Sequence, residues 1–77
     1  MHISKTTPRE QLYALWITRD PTMAKKASYD SKKDELFING KYYSVDMEAK
    51  AIINRFKLIG YDEQWITSSV QRIAKPQ

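Results

Sequence analysis

Asn39-Gly40 lies between Leu36-Phe37-Ile38 and Lys41-Tyr42-Tyr43-Ser44-Val45. Asparagine and glycine readily take the two positive φ angles of a type I′ turn. The flanking residues favour extended backbone, so the segment predicts a β-hairpin over 36–45. A two-residue loop also sets the register: Ile38 faces Lys41, Phe37 faces Tyr42 and Leu36 faces Tyr43. Leu36, Ile38, Tyr43 and Val45 then share one face of the hairpin, and Phe37 and Tyr42 share the other.

Two strands alone are thin, so helices must cover one face. Thr7-Pro8-Arg9-Glu10 has the form of a helix start: a capping threonine, a proline at the first helical position, and a glutamate three residues after the cap. Leu12, Leu15 and Trp16 follow at helical spacing, and Asp20-Pro21 stops the run, predicting a helix over about 7–19. Asp20 can also cap a short second helix over 21–28, with Met23 and Ala27 inward, while a strand through 27–30 competes for the same residues. Ser44 or Asp46 opens the main core helix, 46–59. It carries Ala49, Ile52, Ile53, Phe56 and Ile59 and ends at Gly60 in the usual C′ position. Residues 62–74, with Trp65, Ile66, Val70 and Ile73, fit a helix slightly better than the alternative strand. The expectation is a small α+β fold forming a single domain over 1–77.

A chain of 77 residues buries only about 60–65% of the surface exposed when unfolded, which leaves little room for a deep cleft. It contains no cysteine, so neither a disulfide framework nor a thiolate metal site is expected, and a reducing cytoplasm is the expected compartment. Its apolar runs fall far short of the roughly 20 residues needed to span a bilayer. The opening Met1-His2-Ile3-Ser4-Lys5 lacks the apolar core of a secretory signal and reads as the start of a cytosolic product.

The inventory for catalysis is poor. His2 is the one histidine, close to the start of the chain, and no cysteine offers a nucleophile. Asp34-Glu35 and Asp62-Glu63 are adjacent pairs beside element starts, where capping and solvation account for them. Gly40 and Gly60 stand alone, so no phosphate-cradling loop is formed. The chain is therefore expected to bind rather than to catalyse, with no cofactor and no metal.

Thirteen Lys and Arg against nine Asp and Glu give a net charge of +4. Arg19, Lys25, Lys26, Lys32, Lys33 and Lys41 all fall between the first helix and the hairpin turn, where they can track a phosphate backbone or form an ordinary solvated face among Asp20, Asp30, Asp34 and Glu35. Phe37 and Tyr42 can stack on bases, fill a partner's pocket, or pack beneath the first helix with Trp16. Trp16 and Trp65 read first as core anchors and second as binding residues.

Gly40-Lys41-Tyr42-Tyr43-Ser44, an acid-bearing helix start, and then Ile52, Ile53, Phe56, Leu58, Ile59, Gly60 and Tyr61 resemble the wing and following helices of MerR-like and excisionase-like winged-helix domains. The similarity covers about residues 36–70. It implies a wing at Asn39, Gly40, Lys41 and Tyr42 and a groove helix at 21–28 carrying Lys25 and Lys26. That segment has no arginine, asparagine or glutamine suited to reading bases.

Two functional expectations follow. In the first, a small non-enzymatic DNA-binding regulatory protein contacts phosphates through Arg19, Lys25, Lys26, Lys32, Lys33, Lys41 and Tyr42. In the second, a phage-type inhibitor or anti-defence protein docks on a host enzyme or nucleoprotein complex through Phe37, Tyr42 and Trp65, with the lysines steering its approach.

Overall fold

A computed structural model describes residues 8–74. The expected Thr7 cap and His2 lie outside the described residues. Four helices and a three-stranded antiparallel sheet follow in the order α1 (Pro8–Thr18), α2 (Pro21–Lys25), β1 (Ser28–Asp30), β2 (Glu35–Ile38), β3 (Lys41–Ser44), α3 (Ala49–Leu58) and α4 (Glu63–Ala74). The class is α+β, as the alternation of hairpin and helical patterns predicts.

Helix α1 ends where Arg19 turns into left-handed backbone at φ 56°. The extended Asp20 then caps α2, its Oδ1 accepting from the Thr22 amide at 3.0 Å with Pro21 at the first position. Helix α2 is shorter than the expected 21–28. The amides of Lys26 and Ala27 donate to the carbonyls of Met23 and Ala24, a tightened i to i−3 pattern that closes the helix. Ser28, Tyr29 and Asp30 go instead to the competing strand, β1, paired with Phe37, Leu36 and Glu35. A five-residue helix gains little by extension, whereas a strand beside β2 gains ladder bonds.

The hairpin register is the one Asn39-Gly40 implies: Ile38 opposite Lys41, Phe37 opposite Tyr42 and Leu36 opposite Tyr43. Asn39 at φ 51° and Gly40 at φ 82° form the primed turn. The strands run over 35–38 and 41–44 rather than filling 36–45. Val45 leaves the ladder but remains buried, its amide donating to the Asp34 carbonyl at 2.9 Å.

Helix α3 begins at Ala49, three residues later than the expected 46, after Glu48, whose side chain makes no capping bond. The intervening groups are used elsewhere. Arg9 draws the Val45 and Met47 carbonyls sideways at 2.8 and 3.1 Å, and the Tyr13 hydroxyl donates to Asp46 at 3.3 Å. Carbonyls turned toward a guanidinium are not offered to amides four residues on, so the helix starts after them.

At its other end α3 closes with a Schellman motif. The Tyr61 amide donates to the Phe56 carbonyl at 3.0 Å and the Gly60 amide to the Lys57 carbonyl at 3.1 Å, with Gly60 at φ 107°. Asp62 then caps α4, accepting from the Trp65 amide at 2.7 Å, and residues 63–74 are helical throughout.

The core gathers Leu12, Leu15, Ala24, Leu36, Ile38, Ile52, Phe56, Ile66 and Ile73 between the helices and the inner face of the sheet. Helix α1 contacts α2, α3, α4 and β2. Phe56 is fully buried, with the rings of Trp16, Tyr61 and Trp65 at 5.1, 5.3 and 5.9 Å around it. No helix among the described residues is long and apolar enough to cross a membrane.

Candidate functional site

Strand alternation divides the sheet cleanly. Tyr29, Leu36 and Tyr43 lie in one transverse row on the inner face, and Leu36 is fully buried there. The outer face carries two rows: Ser28, Phe37 and Tyr42, then Asp30, Glu35 and Ser44. Phe37 is 40% and Tyr42 72% exposed, with ring centroids 4.8 Å apart. The reading that would bury this pair beneath α1 with Trp16 does not hold; Trp16 turns inward to Phe56 instead. A groove of about 280 Å³ runs beside the pair, lined by Ser28, Tyr29, Asp30, Glu35, Phe37 and Tyr42.

One polar network holds this face at its turn end. The Arg9 guanidinium forks onto Asp34 with two bonds of 3.1 Å and reaches Glu10 at 3.2 Å, while the Tyr29 hydroxyl donates to Asp34 at 2.6 Å. Asp34 itself is in left-handed backbone, φ 52°. The bonds from Arg9 and Tyr29 hold its carboxyl below the usual carboxylate range. Donation to Asp34, with burial a smaller cause, pushes the Tyr29 hydroxyl up to about 12. Burial, then the neighbouring Asp46, raises the Tyr13 hydroxyl. This network ties the start of α1 to the β1–β2 turn and to the β3–α3 connection. Neither Arg9 nor Asp34 stands out in the sequence except as a neighbour of a helix or strand start.

The six cations singled out in the sequence are divided among different surroundings. Arg19 lies over the Trp16 ring at 4.4 Å, and the Lys25 ammonium donates to the Arg72 carbonyl at 3.3 Å, in the last turn of α4. Lys26 is exposed at the end of α2. Lys32 and Lys33 sit in the β1–β2 turn, their amides bound to Asp30 Oδ1 at 3.0 and 3.4 Å. Lys41 begins β3 at the opposite end of the sheet. A second groove is lined by Ile17, Thr18, Asp20 and Met23 together with Ile38, Asn39 and Tyr43 of the hairpin, and neither Arg19 nor Lys41 lines it.

The three expected anchors also separate. Phe37 and Tyr42 are outward, while Trp65 is half-buried against Phe56 and Tyr61, the latter ring at 4.6 Å. Among the described residues no group of three or more His, Asp or Glu side chains could hold a metal ion. Compared with known proteins, the chain matches no family model, no curated protein and no solved structure.

Proposed function

We propose that this chain is a non-catalytic interaction module that docks a partner protein on the outer face of its sheet, with Phe37 and Tyr42 as the anchors. The observation that carries the reading is the exposure of this aromatic pair, its rings in tilted contact, on a face whose other side chains are Ser28, Asp30, Glu35 and Ser44. Aromatic side chains that are already ordered before binding lose little freedom on docking, and such residues supply most of the energy of many interfaces. A small inhibitor that docks on a larger enzyme or assembly uses a surface of this kind.

The chemistry of the face favours protein over nucleic acid. A base stacked on Tyr42 would bring its phosphates toward Asp30 and Glu35, where like charge opposes them. Of the six cations, Lys25 and Arg19 already have partners within the fold, and Lys32 and Lys33 lie a strand's length from Lys41, roughly 10–13 Å.

Capture from nuclease-treated extract tests the proposal. Wild-type protein should retain a partner polypeptide at moderate salt, and the Phe37→Ser/Tyr42→Ser variant should lose it. Retention by that variant, or loss of all partners on nuclease treatment, would overturn the reading.

A further inference from the structure

The docking face has a chemistry of its own that names part of what it takes. We propose, on the footing of the docking function above, that the outer-face groove receives an arginine side chain of the partner protein, stacked on Phe37 and Tyr42 and forked onto Glu35 and Asp30.

Asp30 and Glu35 are directly opposite one another in the register, on the same face of the sheet. Like charges so placed repel. In a chain with thirteen Lys and Arg, neither takes part in an ion pair among the described residues. One Asp30 oxygen serves the turn amides of Lys32 and Lys33, and Glu35 is half-buried along the groove.

The aromatic row lies two residues along from the carboxylate row, about 7 Å away. A guanidinium spans that geometry: its flat face stacks on a ring while its edge donates to a carboxylate. A lysine ammonium has no flat face and holds its water more tightly, so it satisfies one row at a time. An entering arginine also relieves the repulsion between the opposed acids.

Both halves of this recognition already occur inside the molecule. Arg19 stacks over Trp16 at 4.4 Å, and Arg9 forks onto Asp34 with two bonds of 3.1 Å. The groove, about 280 Å³ and open to solvent, combines the two and admits a side chain of that size.

Amide NMR of the whole ¹⁵N-labelled chain, titrated with N-acetyl-argininamide at constant ionic strength, tests the proposal. Saturable shifts should centre on Ser28, Asp30, Glu35, Phe37 and Tyr42. Binding should weaken at least about fivefold in Glu35→Gln, and be weaker by a similar factor for N-acetyl-lysinamide. N-acetyl-citrullinamide, the same shape without the charge, should cause no saturable shift. Unchanged resonances elsewhere in the Glu35→Gln spectrum establish that the variant is folded.

Equal response to the citrulline compound, shifts scattered over the surface, or indifference to Glu35→Gln would overturn the arginine assignment. If that happens while Phe37→Ser/Tyr42→Ser still abolishes partner capture, the docking face stands and only its specificity is wrong. Failure of both removes the docking function as well.

Discussion

The Arg9 guanidinium and the Asp34 carboxylate, 25 positions apart in the chain, meet in a two-bond fork that fastens the first turn of α1 to the left-handed corner between β1 and β2. The same guanidinium takes the carbonyls of Val45 and Met47, so a single side chain holds the turn end of the sheet and the connection into α3. The outer face with Phe37 and Tyr42 is presented on that support.

Removing the guanidinium should therefore cost more than an ordinary surface contact. Arg9→Met leaves the Val45 and Met47 carbonyls without their donor and is expected to lower stability by about 2 kcal/mol, a fall in Tm of roughly 8–16 °C. Arg9→Lys, which cannot fork, should recover only part of the loss. Thermal unfolding by circular dichroism reads both, and a shift of under about 2 °C for Arg9→Met would remove the network from the account.

The network also contributes to both ends of the pH profile, with the raised Tyr13 hydroxyl adding to the alkaline side. Asp34 is depressed below its ordinary value of 3.8, so its contribution is fully present above that pH and is lost as pH falls through the lower folded value. Tyr29 is raised from 10.0 to about 12, so its contribution is fully present below pH 10 and disappears as pH rises toward 12. Urea midpoints measured against pH should show both declines. Asp34→Asn should flatten the acid arm and Tyr29→Phe the alkaline arm, and an unaltered profile in either variant would contradict its assignment.

Gly60 holds φ 107° with open space where a Cβ would stand. The cost of Gly60→Ala is thus backbone strain rather than collision, about 1–2 kcal/mol, and Gly60→Asn should cost less. Equal urea midpoints for wild type and Gly60→Ala would show that the Schellman closure of α3 is not needed.

Phe56→Ala should be the most damaging single truncation. A fully buried ring with three aromatic neighbours costs about 3–5 kcal/mol to remove. A domain of this size has only about 4–11 kcal/mol in total. Loss of cooperative melting, or a midpoint near room temperature, is expected; a wild-type midpoint would contradict the core described above.

What could be read from the sequence was local. Asn39-Gly40 carried its own turn and register, Gly60 its own helix end, and Asp20-Pro21 its own break, because each acts through backbone conformation within a few residues. The sequence does not decide strand β1, because three residues have no strand character until β2 supplies bonds to them. The helical pattern starts α3 three residues early because the competing use of the Val45 and Met47 carbonyls comes from Arg9, far back in the chain. Within the candidate site, the shared face of Phe37 and Tyr42 followed from the hairpin register, but its outward setting did not, since that depends on which side of the sheet the helices cover. The opposition of Asp30 and Glu35 did not, since it depends on how β1 meets β2. The dispersal of Arg19, Lys25, Lys32, Lys33 and Lys41 likewise depends on tertiary neighbours that charge counting does not see.

The docking face itself is tested most directly by photo-crosslinking. A benzoylphenylalanine in place of Tyr42 should couple to a partner polypeptide in nuclease-treated extract, and the same group in place of the exposed Gln71 on α4 should not. Adducts to nucleic acid at position 42, or polypeptide adducts of equal yield at both positions, would contradict a protein-binding surface centred on Phe37 and Tyr42.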